Sequence, residues 1–226
     1  MKRILQMPNL FDTDFLACAL WPNNPSLHPP ILIGLFEHWD GKTPFDPAAL
    51  PVFIYKDLRT ESARYLVELD HELVALVKAL SKAHPENPNL KLNYSLKACI
   101  IENYREQVLN QWDTVSCVSS NVAFGKHKIP YTQVPGGAVP TLKHKFFETD
   151  LTHGLTTWKD LARMVKMETP VIDRIIRWNQ RLNNKEYLKP DGTLTGKNID
   201  ECVIPSRIGV TLKTIASGNR IGAAKL

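Results

Sequence analysis

Residues 60–83 read TESARYLVELDHELVALVKALSKA, and this stretch decides the fold class. Leu66, Leu69, Leu73, Leu76 and Leu80 recur at spacings of three and four, which places them on one face of a helix and leaves most charged residues elsewhere. Thr60 stands where a capping residue belongs, and His84-Pro85 ends the pattern.

The same period continues outward in both directions. A second helix is predicted over about 94–113, with Leu96, Ile100, Tyr104, Val108 and Trp112 on one stripe. A third is predicted at 157–167 around Trp158, Leu161 and Val165. A fourth takes Thr169 as its cap and Pro170 as its first residue, burying Ile172, Ile175, Ile176 and Trp178. A last helix is predicted at 207–217, closed by Gly218, with 221–226 expected to be disordered. No alternating apolar pattern persists long enough for a strand ladder, so the class is mainly α, a multi-helix domain. Segment 40–51 reads as a surface crossing. Segment 114–156, with Pro130, Pro135, Gly136, Gly137 and Pro140, reads as a loop long enough to imply a function.

The bulk properties narrow the function classes. At 226 residues, 43% hydrophobic and 23% charged, the chain has ample length for one core. Net charge is +5 and pI near 9.0, yet the basic residues are scattered, so nucleic-acid binding ranks last. A positive site for carboxylate-bearing substrates is the better functional reading. Cys18, Cys99, Cys117 and Cys202 are far apart, which argues against a disulfide framework or a zinc site and fits a reducing cytoplasm. His38, His71, His84, His127, His144 and His153 form no metal-type spacing, so no metal is expected. Asp12 and Asp14 interrupt any signal-peptide core, and no apolar run approaches the ~18 residues of a membrane span. A soluble protein with no membrane partner is expected.

One titratable residue stands out by its setting. His28 lies in NNPSLHPP (23–30), a proline-stiffened turn opening into the apolar run Ile31–Phe36. Pro29 and Pro30 suit a helix's first turn, which would hold the imidazole at a helix start. Asp150 follows 122 residues later (150 − 28), and a His–Asp pair is a proton-transfer device if the fold unites them.

The segment SLHPPILIGLFEHWDGKTPFDPAALPVF (26–53) resembles the second domain of the invertebrate opine dehydrogenases. VPGGAVPTLKHKFFETDLTHGL (134–155), the stretch with Thr169-Pro170 and Ile172-Asp173, and KEYLKPDGTLTGKNIDECVIPSRIG (185–209) agree in the same order. The resemblance implies that residues 1–226 form the helical C-terminal domain of such an enzyme, like those of the 6-phosphogluconate dehydrogenase-like group, lacking the Rossmann domain. It implies reductive condensation of an amino acid with a 2-oxo acid such as pyruvate, using NAD or NADP bound mainly by a Rossmann domain supplied in cis or in trans. No G-x-G-x-x-G occurs in the chain, so its cofactor-binding residues are unknown and the chain alone is expected to be inactive.

The same resemblance implies the roles of single residues. His28 is the acid/base, Asp150 orients it, and the two meet at a cleft wall. Lys145 stands where the family has an arginine that holds a substrate carboxylate. Lysine offers a point charge without the two-pronged geometry, so it either binds a carboxylate loosely or is a solvated lysine. Cys99 and Asn24 stand where octopine enzymes carry aromatic residues. Losing those two walls removes stacking surface for a cationic side chain and points away from arginine, leaving alanine, glycine, β-alanine or taurine open. The alternative to an enzyme is a non-catalytic helical module that binds ligands or mediates oligomerisation.

Overall fold

The computed structural model describes residues 15–21, 24–91 and 93–216. The mainly α class holds. Helix α1 spans Phe15–Leu20, α2 Asn24–Phe36, α3 Thr60–Ala83, α4 Leu96–Tyr104, α5 Thr114–Ser119, α6 Thr156–Met164, α7 Pro170–Leu182 and α8 Leu212–Ala216. One antiparallel hairpin, β1 (Tyr131–Val134) with β2 (Gly137–Pro140), interrupts them.

Helix α3 is the axis of the core and has the bounds its pattern predicts. Leu66, Leu69, Leu73, Leu76 and Leu80 are all buried, each worth roughly 1.5–3 kcal/mol of transfer free energy. Its N-cap is Arg59, with no side-chain bond, so Thr60 is the first helical residue rather than the cap. Helix α2 packs most extensively on α3, through Ile31, Leu32, Ile33 and Phe36. Gly34 permits that crossing, because a Cβ there would lie 2.6 Å from the Glu61 carbonyl carbon. Ser62 Oγ donates to the Ile31 carbonyl (2.9 Å) at the same point. Helix α7 buries Ile172, Ile175, Ile176 and Trp178 as expected. Its start is capped from a distance: the Glu72 carboxylate on α3 accepts from Val171 N and Ile172 N, both at 2.9 Å.

Four further expectations fail for identifiable reasons. Helix α2 begins at Asn24, so Pro29 and Pro30 lie inside it and Pro25 occupies the first turn. The predicted 94–113 helix ends at Tyr104, because Arg105 takes a positive φ of 45° and a short 3₁₀ turn follows. Val108 is then buried in an isolated bridge to Asn121, while Trp112 is 84% exposed. The 114–156 segment is no structureless loop: it holds α5, a 3₁₀ turn at Val122–Phe124, the hairpin and a π-helical turn. The hairpin turns at Gly136 (φ 87°) and Gly137 (φ 148°), values that favour glycine. The last predicted helix is split by Gly209 in the left-handed region, leaving a 3₁₀ turn at Pro205–Ile208 and then α8. Gly218 and 221–226 lie outside the described residues. Among those residues no helix is long and apolar enough to cross a membrane.

Candidate active site

Two elements far apart in sequence bring the predicted pair together. His28 sits in the second turn of α2, and Asp150 opens a π-helical turn, Asp150–Leu155, that runs directly into α6. Such turns are rare and occur often at functional sites, since they re-aim one side chain relative to a regular helix. Threonines support this one. Thr152 Oγ1 donates to the Glu148 carbonyl (3.0 Å), Thr156 Oγ1 to Thr152 (2.7 Å) and Thr157 Oγ1 to His153 (3.0 Å). Val203 N also donates to the Thr152 carbonyl. Carbonyls released by the wider turn are therefore satisfied locally. Gly154 seats the turn against α2: a Cβ at this position would lie 2.5 Å from Pro25 Cβ.

The result is a hydrogen bond between His28 Nδ1 and Asp150 Oδ2 of 2.6 Å. An ionised carboxylate only accepts, so Nδ1 carries the hydrogen and Nε2 keeps its lone pair. That lone pair accepts from the Tyr55 hydroxyl at 2.6 Å. Phe146 covers one face of the imidazole, with ring centres 3.6 Å apart. Burial lowers the His28 pKa from its ordinary value, the bond and charge of Asp150 oppose that, and the charges of His127 and Lys145 add to the lowering. The imidazole is therefore neutral at pH 7 and able to take up a proton. Burial raises the Tyr55 pKa, with the Asp150 charge adding to it, so the phenol stays protonated and donates.

Neither member of the pair forms a cleft wall. His28 is 2% and Asp150 7% exposed. Beside them lies a cavity of about 280 Å³ lined by Asn24, Leu27, Tyr55, Cys99, Tyr104 and Phe124, among others. Tyr55 thus belongs to both the cavity and the buried pair. Asn24 and Cys99 line the cavity, the thiol pushed by burial up to about 12 and therefore neutral. Lys145 does not line it. Lys145 is exposed, with its ammonium 5.9 Å from the Phe146 ring. The cavity also keeps aromatic walls: Tyr104, which lies on the predicted helix stripe, and Trp21 and Phe124, which the sequence does not single out. Tyr55 and Phe146 were not singled out either; Phe146 lies within the recognised KHKFFETD block, whereas Tyr55 lies just beyond the 26–53 block.

No dinucleotide cradle accompanies the pair among the described residues. Gly136-Gly137 forms the hairpin turn rather than the start of a helix, and no strand–turn–helix unit is present. No group of three potential metal ligands occurs there either.

The chain belongs to the family described as NAD/NADP octopine/nopaline dehydrogenase, alpha-helical domain, whose model matches residues 12–183. It is 29% identical over 195 residues to tauropine dehydrogenase of Arabella iricolor, covering 86% of this chain and 48% of that protein. A solved octopine dehydrogenase in complex with NADH and agmatine superposes with a TM-score of 0.78 at 27% identity, covering 93% of this chain and 51% of the other. A second, with NADH and pyruvate, gives 0.73 at 26% identity, covering 93% and 50%. The chain spans about half the length of these relatives.

Proposed function

We propose that this chain is the substrate-binding and catalytic helical half of an NAD(P)-dependent opine dehydrogenase, which reductively condenses an amino acid with a 2-oxo acid such as pyruvate. The carrying observation is the 2.6 Å bond between His28 and Asp150 beside a cavity lined by Asn24 and Cys99. Forming the imine requires a proton to leave the substrate ammonium and later to reach the departing hydroxyl, and imidazole exchanges protons near neutral pH. His28 is the acid/base in this reading. Asp150 fixes the tautomer and stabilises the imidazolium once formed.

Lys145 supplies positive charge near the pair for a carboxylate, as a point charge on the surface rather than a clamp in the cavity. Bound NADH or NADPH would supply the hydride. The residues that hold it belong to a Rossmann half provided in cis or in trans, since the described residues offer no cradle for it. For the amino acid, a small or neutral molecule such as alanine, glycine, β-alanine or taurine is favoured over arginine. The cavity has aromatic walls but no carboxylate among its lining residues to pair with a guanidinium. The four cysteines are free, which supports a reducing cytoplasm. A purely binding or oligomerisation module explains less, because it has no need of a buried imidazole held at both nitrogens.

The test is NADH oxidation by the complete enzyme, this half together with its dinucleotide-binding half, with pyruvate and a panel of amino acids. Oxidation that depends on the amino acid is expected. Its absence across the panel would overturn the assignment.

A further inference from the structure

His28 has no free face through which a substrate could reach its nitrogens. Nδ1 is taken by Asp150, Nε2 by Tyr55, Phe146 stacks on the ring, and the residue is 2% exposed. The cavity stops one residue short of the imidazole, and the side chain joining the two is Tyr55. Tyr55 is itself firmly held. The backbone of its neighbour Ile54 donates to the His127 carbonyl (2.9 Å), Asp57 accepts from Val52 and Phe53 N, and the Tyr55 ring packs 4.6 Å from that of Phe124. A hydroxyl placed this way is a fixed bridge rather than a mobile side chain.

We propose that Tyr55 is a catalytic residue, the hydroxyl through which protons pass between substrate in the cavity and the buried His28–Asp150 pair; this deepens, and rests on, the opine dehydrogenase reading. In the amine-activating step the substrate ammonium gives an N–H proton to Tyr55 Oη as Tyr55 gives its own proton to His28 Nε2. A free amine, a neutral phenol and an imidazolium bonded to Asp150 result. In dehydration the imidazolium returns its proton to Tyr55 Oη, and the Tyr55 proton passes to the carbinolamine hydroxyl, which leaves as water. No net charge accumulates on the phenol. A group with so high a pKa can therefore serve, because it never has to exist as a phenolate.

The experiment compares the complete enzyme with its Tyr55→Phe variant, which keeps the ring and its contact with Phe124 and removes only the hydroxyl. With amino acid, pyruvate and NADH, kcat is expected to fall about 100-fold while the amino-acid KM stays within about threefold. The dependence of wild-type kcat on deuterium fraction is expected to be curved, as two protons in flight require, and that of Tyr55→Phe linear. If the variant keeps kcat within about threefold, or raises KM alone, Tyr55 only fills space or binds substrate and the relay is overturned. A linear dependence in the wild type overturns it as well, and decides the matter if the variant does not fold. A wild type with no amino-acid-dependent turnover defeats the opine reading itself and the relay with it, an outcome distinct from an active wild type with an unaffected variant.

Discussion

Replacing Asp150 by Asn keeps the shape of the π-helical turn and removes the charge beside the imidazole. Unit charges 2.6 Å apart attract by roughly 6 kcal/mol at an effective dielectric of ~20, and an imidazolium at His28 loses that support. A hydrogen bond to the asparagine amide returns about 1 kcal/mol. The remaining ~5 kcal/mol corresponds to a drop in kcat of roughly 10³–10⁴-fold at 1.36 kcal/mol per decade. Loss of the orienting aspartate in a serine protease, about 10⁴-fold, is of the same size. The folded ground state holds a neutral imidazole, so the urea midpoint should correspond to a change of only about 1 kcal/mol. Because Asp150 raises the His28 pKa, the acid limb of kcat/KM should also move to lower pH in the variant. Steady-state NADH oxidation by the complete enzyme from about two pH units below the ordinary His pKa of ~6.5 to about one and a half above it, with urea unfolding in parallel, reads all three. Turnover within about tenfold of wild type in a folded variant would refute the reasoning, as would an acid limb that moves upward.

Four further outcomes are expected. Gly154→Ala forces a methyl into the Pro25 ring and should cost about 1–3 kcal/mol in urea unfolding while lowering kcat, since it pries apart the segments bearing His28 and Asp150; an unchanged kcat would show that the seating does not matter. The folded-state pKa of His28 is below its unfolded value, so unfolded chain binds more protons between the two. Stability is then fully present above the unfolded value of about 6.5 and is lost as pH falls through the folded value, a slope that His28→Gln should flatten in urea midpoints measured from pH 7 downward. Glu72→Ala removes the acceptor for two backbone N–H groups at the start of α7 and should cost about 2 kcal/mol by the same assay. Iodoacetamide at pH 8 should label exposed Cys18 well before buried Cys99 and Cys117, as read by mass spectrometry of peptides; prior labelling of Cys99 would contradict its burial and raised pKa.

What could be read in advance follows from the kind of signal each element carries. The leucine stripe of α3 and the Thr169-Pro170 start of α7 are local signals, so the range of the first and the start of the second are legible in sequence. Helix α4 is not, because its stripe continues in register past Tyr104 while the backbone turns away at Arg105, a choice made by the Val108–Asn121 bridge. The hairpin escapes for a different reason. Its strands have four residues each: in β1 Tyr131 and Val134 are half-buried while Thr132 and Gln133 are exposed, and β2 alternates in burial but reads GAVP, with no polar residue to mark the alternation in sequence. Of the site, His28 stands out by its proline-flanked setting, while the roles of His28 and Asp150 and the choice of Asn24 and Cys99 rest on the resemblance; their meeting is a property of the fold. The analogy with an arginine leaves Lys145 either a loose carboxylate contact or a solvated lysine, and the geometry puts it at the surface beside Phe146. Tyr55 was invisible because nothing in Phe53-Ile54-Tyr55-Lys56 marks a hydroxyl aimed at an imidazole 27 residues away. The threonines of TDLTHGLTT (149–157) were the one overlooked local cue, since side chains that bond carbonyls four residues back are suited to a widened turn.

The most direct trial of the account is the turnover of His28→Ala in the complete enzyme, measured as amino-acid-dependent NADH consumption on protein whose circular dichroism matches the parent. Consumption at least about 10³-fold below the parent is predicted, because a buried proton acceptor has been removed from a site with no other titratable group bonded to Tyr55. A folded variant turning over within about tenfold of the parent would mean that the imidazole is structural and that the chemistry lies elsewhere.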